Sequence, residues 1–220
     1  RGEPVGDLLG FSRMLLKLIR EEKPDRVAVC FDSPGPTFRH QAFAAYKATR
    51  KETDADLVKQ LRQAPELAQA LGCAAVVLQG FEADDLMATL ARRAADEGYD
   101  AVLVTGDKDA LQLVAGGVRV LDPGKGMWMD PARIEEKLGV GPAAVVDYLA
   151  LTGDSSDNVP GVRGIGPVGA RKLLKDFGTL AAALQAAKEG DPRIPAKTAA
   201  LLVEGEDDVV AALDLIRLRS

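Results

Sequence analysis

Histidine, cysteine and aromatic residues are scarce in this chain, and each scarcity removes a class of chemistry. Among 220 residues there is one histidine, His40. That excludes metal sites built on histidine pairs and counts against a Ser-His-Asp triad. The two cysteines, Cys30 and Cys73, lie in the apolar stretches VAVCF and LGCAAVV and read as buried thiols rather than as a disulfide or a metal pair. No apolar run approaches the length of a membrane span, and nothing at the amino end has the pattern of a signal peptide. A Walker phosphate loop is also missing. The first residue is Arg1 rather than Met, so sequence is expected to precede it.

What the chain has in quantity is apolar material, 47% of its residues, and acid. The net charge of −5 argues at face value against a polyanionic partner. The acids, however, are concentrated. With eight of them set aside, the remainder of the chain is net positive, which is compatible with DNA or RNA once cations fill the acidic spots.

The first part alternates helical periodicity with short strands that are apolar throughout. Helices are expected over Val5 to Glu22, Asp54 to Leu71 and Ala83 to Glu97, with a short one from Lys108. Strands are expected at Arg26 to Phe31, Ala74 to Leu78, Ala101 to Val104, Val118 to Leu121 and Met127 to Met129. Ser33 to Thr53 has no clean period. Fully apolar strands alternating with helices predict an α/β fold with a mostly parallel sheet covered by helices. From Pro131 the pattern changes to short helices broken by Gly and Pro. This predicts an α/β core over 1–130 and a helical lobe over 131–220, integrated rather than joined by a linker.

Four acidic spots fall where a strand or loop ends: Asp32, the trio Glu82, Asp84 and Asp85, the pair Asp107 and Asp109, and the pair Asp154 and Asp157. Open α/β sheets place their ligands at such ends. Any one of these acids could be an ordinary helix cap, Asp107 above all. Four such spots after successive strands instead suggest one pocket whose repulsion requires cations. All-oxygen ligands favour Mg²⁺ or Mn²⁺ over zinc. An EF-hand is excluded at Asp107-Lys-Asp109, because the central Gly and closing Glu are missing.

Two further segments suit nucleic acid. Gly164-Ile-Gly166-Pro-Val-Gly169 matches a dinucleotide fingerprint literally, but it follows a Pro-Gly loop rather than a strand. It reads better as a tight hairpin from Gly161 between two helices, its amides open to a phosphate and followed by Arg171, Lys172 and Lys175. A plain helix–turn–helix corner is the alternative. Thr37 to Lys51 interleaves Arg39, Lys47, Arg50 and Lys51 with Phe38, Phe43 and Tyr46, a composition suited to single strands or to a solvated loop.

The stretches FDSPGPTFRHQAFAAYKATR, GFEADD, VTGDKDALQLV and LTGDSSDNVPGVRGIGPVGARKLL, taken together, resemble the 5′-nuclease domain of bacterial DNA polymerase I, in the flap-endonuclease superfamily. The resemblance implies a PIN-like nuclease core and a metal-dependent 5′-3′ exonuclease or flap endonuclease acting on 5′ flaps, branched duplex and RNA–DNA primers. It places one metal on Asp32, Glu82, Asp84 and Asp85, and a second on Asp107, Asp109, Asp154 and Asp157. It makes Lys47 and Arg39 the catalytic cations. It assigns DNA contacts to Tyr46, Arg50, Lys51, Gly161, Gly164, Gly166, Gly169, Arg171 and Lys172, the hairpin being a helix-hairpin-helix element where the family holds K⁺. A monomer of the bacterial cytoplasm, at the nucleoid and fused to or associated with a polymerase, is what the family leads one to expect. The family opens with a strand ending in a further metal-binding Asp, which would precede Arg1. A junction-binding module without cleavage and a PIN-type ribonuclease are the alternative readings.

Overall fold

The computed structural model describes residues 4–220. They form two compact units, one made of residues up to 38 together with 51–86, the other of 39–50 together with 87–220.

In the first unit, α1 (Gly6–Glu22) packs on α3 (Ala55–Ala70). The residue before α1, Val5, has no capping side chain. Gln60 of α3 caps that end instead: its amide oxygen accepts from the backbone of Asp7 (2.9 Å) and Leu8 (3.2 Å), and its amide nitrogen donates to Asp7 Oδ2. Burial of a polar side chain is tolerated here because both ends of it are satisfied. Strands β1 (Ala28–Cys30) and β2 (Ala74–Val76) pair in parallel with Ala28 opposite Ala74. Leu15, Ala68 and Cys73 form the centre of a small core, joined by Phe11, Ile19 and Phe31.

In the second unit, β3 (Ala101–Val104) pairs in parallel with β4 (Val118–Asp122), and β4 pairs antiparallel with β5 (Met127–Met129). The expected strands are thus present and two of their three pairings are parallel. They form two ladders, one in each unit. Between β3 and β4 runs a 3-10 turn, Asp109–Leu113. The expected amphipathic helix α4 (Ala83–Asp96) starts in the first unit and ends in the second. The segment without clean period contains a short helix, α2 (Phe38–Ala42).

The rest of the second unit is helical: α5 (Pro131–Leu138), α6 (Val145–Thr152), α7 (Pro167–Phe177), α8 (Leu180–Glu189), α9 (Ala196–Glu204) and α10 (Glu206–Ile216). Helix α6 is apolar on most sides, with Val145, Leu149, Ala150 and Leu151 at most 3% exposed. It therefore packs as the central element, against α10 and α7. Pro131 and Pro167 open α5 and α7, where a missing N–H costs nothing.

Helix α6 ends at Gly153 (φ 77°), and the chain folds back through Asp154 to Val159, whose backbones exchange hydrogen bonds of 2.9 and 2.8 Å. Gly161 then lies directly against Gly153. A Cβ on Gly161 would sit 2.3 Å from the Gly153 nitrogen and 2.4 Å from the Thr152 carbonyl carbon. Backbone cannot yield as a side-chain tip can. Gly161→Ala is expected to lower the unfolding free energy by about 3 kcal/mol. Gly166→Ala, whose Cβ would meet nothing within 4 Å, should cost less than about 1 kcal/mol. Urea denaturation of the two variants checks the contrast, and equal costs would refute the contact as its cause.

Candidate metal centre

The acids occupy two places, one in each unit. In the first, β1 runs out at Phe31, whose N–H donates to Val76, so Asp32 stands at the carboxyl end of a parallel pair. Asp32 Oδ1 accepts from the N–H of Ala83 at 2.8 Å, the first residue of α4. Ser33 fastens the loop before that helix, accepting from Gly80 and donating to the carbonyl of Phe81. Glu82 and Asp85, 7% and 1% exposed, follow at once, and Asp85 Oδ2 accepts from the Glu82 N–H. Helix-start amides favour such carboxylates. The charge of Asp84 also acts here: with burial as the larger cause, it pushes the Cys30 thiol up to about 11. Asp32, Glu82, Asp84 and Asp85 are thus assembled around one helix start.

The second place is more sharply formed. One carboxylate oxygen each from Asp109, Asp154 and Asp157 lie within 4.8 Å of one another. Asp107 precedes them after β3 and serves partly as a cap, its Oδ1 accepting from the Asp109 N–H at 2.9 Å. It also lines the open cleft of about 420 Å³ that holds Asp154 and Asp157 together with Gly106, Lys108, Lys137 and Ser156. The hairpin backbone sets Asp154, 4% exposed, whose Oδ1 accepts from Ser156 N–H (2.9 Å) and Lys108 Nζ (2.6 Å). Asp157 accepts from Arg50 Nη2 (2.6 Å) at Oδ1 and from the Tyr46 hydroxyl (2.8 Å) at Oδ2, with Lys47 Nζ 3.7 Å away.

Asp109 has no such help. Its Oδ1 is buried without a hydrogen-bond partner. Burial, then the charges of Asp107, Asp154 and Asp157, push its carboxyl up to about 8, with only Lys108 opposing. Three clustered carboxylates, one of them carrying a buried oxygen without a hydrogen-bond partner, are what a divalent cation would satisfy, so the residues fit such an ion.

The residues matched to DNA and catalysis fall into two sets. Lys47, Arg50 and Lys51 stay at least partly accessible, Lys47 in a left-handed conformation (φ 55°) with its N–H donating to Asp157. Gly164 and Gly166 are exposed at the tip before α7, and Lys172 is exposed and paired with Asp176. Gly169 lies in α7, its Cα facing Ile165.

The other set is engaged inside the fold. Arg39, expected as a catalytic cation, is 1% exposed; its Nε donates to the Leu215 carbonyl at 2.7 Å and its Nη2 to that of Arg217. It ties α2 to the end of α10, because buried carbonyls there need donors. Tyr46, expected to contact DNA, is 3% exposed with its ring edge-on to His40. Arg171 donates to the Leu138 carbonyl at 2.7 Å and reaches across Tyr148, joining α7 to α5. Gly161 is accounted for by its backbone neighbour. Sequence reasoning missed Lys108, whose place between two acids was the available signal.

The raised carboxyl of Asp109 gives a stability prediction. A carboxyl held above its unfolded value destabilises the fold as pH rises from about 4 through about 8. Asp109→Asn should therefore stabilise the metal-free protein by about 2 kcal/mol at pH 8 and leave it nearly unchanged at pH 4. Urea titrations in chelator at the two pH values check this; a loss at pH 8 would refute it.

Two family models cover the chain end to end: the 5′-3′ exonuclease N-terminal resolvase-like domain over residues 1–139 and the 5′-3′ exonuclease C-terminal SAM fold over 140–220. The thermostable DNA polymerase I of Thermus aquaticus is 44% identical over the whole chain, and that of Deinococcus radiodurans 42% over 98% of it. The chain spans 26% and 22% of their lengths. Among solved structures, the zinc-bound 5′-exonuclease of T5 has the same fold, with a TM-score of 0.82 at 22% identity over 95% of this chain and 80% of that one. The catalytic core of Rad2 in complex with DNA substrate matches at 0.57 and 19% identity, over 91% and 64%. No helix of the described residues is long and apolar enough to cross a membrane. The chain belongs to the 5′-3′ exonuclease family.

Proposed function

We propose that this chain hydrolyses DNA phosphodiester bonds next to a free 5′ end, as a structure-specific 5′ nuclease that uses divalent ions. The convergence of Asp109, Asp154 and Asp157, one of which buries an oxygen without a hydrogen-bond partner, carries the reading. Membership of the 5′-3′ exonuclease family gives that cluster its chemistry. The T5 flap endonuclease, alike in fold, is known in complex with DNA and metal ions.

Asp109, Asp154 and Asp157, with Asp107 beside them, would hold one ion; Asp32, Glu82, Asp84 and Asp85 would hold another. An all-carboxylate set favours Mg²⁺ or Mn²⁺. Ions so held would polarise the phosphate and a water and shield the departing 3′ oxygen. The chain's own residues do the rest. Lys47 and Arg50 border the cluster and present positive charge to the phosphate. The exposed amides around Gly164 and Gly166, followed by Lys172, would grip the backbone of the duplex without regard to sequence, and would hold K⁺ there. Residues 1–130 act as the nuclease core and 131–220 as the DNA-gripping lobe, with Asp154 and Asp157 contributed by the latter. The substrates would be 5′ flaps, branched duplex and RNA–DNA primers. The chain acts as a monomer in the bacterial cytoplasm, with a polymerase fused or associated.

Asp154→Asn should lower cleavage of a labelled 5′-flap DNA in Mg²⁺ by about 100-fold or more, with affinity for the flap changed less than about threefold. Turnover at the original rate would remove this cluster from the reaction. Lys47→Ala should lower the single-turnover rate more than affinity; a loss of affinity alone would leave Lys47 as an anchor only. Cleavage confined to RNA flaps would favour the ribonuclease reading.

A further inference from the structure

Lys108 sits in the cluster without a place in the reading above. It stands in the chain between Asp107 and Asp109, and its ammonium is 2.6 Å from Asp154 Oδ1, itself nearly buried. Its side chain is 31% exposed and lines the open cleft, so solvent lies beside the contact. Asp157 has its own cations in Arg50 and Lys47, and Asp109 Oδ1 has no hydrogen-bond partner. Lys108 is thus the one cation seated on Asp154 among the described ion pairs, and it approaches the carboxylate oxygens where a divalent ion would be held.

We infer that Lys108 is a resident counter-cation that competes with the divalent ion for Asp154. It steadies the metal-free cluster, weakens metal affinity, and must give up Asp154 when an ion enters. The released ammonium, still in the cleft beside Asp107 and Ser156, is then available to a substrate phosphate. The inference rests on reading Asp109, Asp154 and Asp157 as an ion site. A group that holds a ligand's place most of the time lowers the observed affinity by the fraction of time the place is free. Occupancy of about nine-tenths weakens binding about tenfold.

An ordinary stabilising ion pair makes a different prediction. Removing one would weaken the fold equally with and without metal and would not tighten metal binding. Three variants separate the cases, each titrated with Mn²⁺ alone, without DNA, by electron paramagnetic resonance. Lys108→Met should bind Mn²⁺ about tenfold more tightly than the parent chain and should be less stable to urea in chelator, the deficit closing in saturating Mn²⁺. Lys108→Arg keeps the charge and should stay within about threefold of the parent. Lys137→Met removes a cation that lines the same cleft, and should also shift affinity by less than about threefold. Unchanged or weaker Mn²⁺ binding by Lys108→Met would overturn the inference. So would an equal gain from Lys108→Arg, which would exclude charge, or from Lys137→Met, which would make the effect a general field. If Lys108→Met does not fold in chelator, the Lys108→Arg and Lys137→Met titrations, with Lys108→Met refolded in Mn²⁺, still decide it. Absence of Mn²⁺ binding by the parent chain would instead sink the ion-site reading itself.

Discussion

The second unit is organised around a repulsion that it does not fully relieve. Two unit charges 4.8 Å apart at an effective dielectric constant of about 20 repel by about 3 kcal/mol, and the cluster contains three such pairs. Against a domain's net stability of about 5–15 kcal/mol this is a large burden. The chain answers it unevenly. Asp154 has an ammonium and a backbone amide, and Asp157 has a guanidinium, a hydroxyl and a nearby ammonium. Asp109 is buried among its neighbours' charges with only Lys108 opposing them, and its carboxyl is pushed up to about 8. The uneven answer separates this site from a salt bridge made for stability. In the pair of Asp191 with the exposed Arg193, every carboxylate oxygen meets a guanidinium nitrogen, and the carboxyl falls to about 2.

Holding like charges together requires backbone that cannot drift apart. The loop from Gly153 to Gly161 is closed at its neck by two glycines in backbone contact, and Asp154 and Val159 are bridged just inside it. Its far side is fixed by the segment carrying Lys47. Lys47 N–H donates to the Asp157 carbonyl, and Asn158 Nδ2 donates to that of Ala45. Lys47 and Asn158 are two of three non-glycine residues with positive φ among those described, at 55° and 57°. Such conformations cost about 1–3 kcal/mol each and persist where surroundings fix them, and both lie at this seam. Arg39 anchors the same segment from the other end, to the last carbonyls of α10. A buried guanidinium that holds a loop is consistent with a loop whose position matters to the acids it faces.

Much of this was readable from sequence, and the unread parts have a common cause. Asp32 and Asp107 were legible because each follows a short apolar run, Asp32 at once and Asp107 after Thr105 and Gly106, and a strand's end in an α/β fold is a fixed place. The helical half was legible from Pro131 and Pro167 and from glycines after apolar stretches. The short helix at Phe38 was not, because it has too few residues to show a period. Nor could sequence show how strands divide between ladders, since apolar strands of three to five residues carry no partner information. The burial of Arg39 and Tyr46 was hidden for a subtler reason. Cations interleaved with aromatics suit a solvated grip on nucleic acid and equally suit a segment docked on buried carbonyls and carboxylates. Only the acceptor separates the two, and for Arg39 it lies 176 positions away. Gly161 shows the same ambiguity: a glycine close to a phosphate and a glycine close to another glycine look alike until the fold is known.

The distribution of charge completes the physical picture. The chain is acidic overall, yet four cations stand at the cluster, Lys108 and Lys137 lining its cleft and Lys47 and Arg50 against Asp157. Three of them are held by the carboxylates themselves. A phosphate approaching this metal-free surface meets cations already neutralised and acids still partly charged, and gains little. Charge placed among the acids reverses both terms at once, because it removes the repulsion and loosens the hold of the carboxylates on the cations. The net charge of the sequence, taken as a single number, therefore says less about the partner than does the order in which these charges are satisfied.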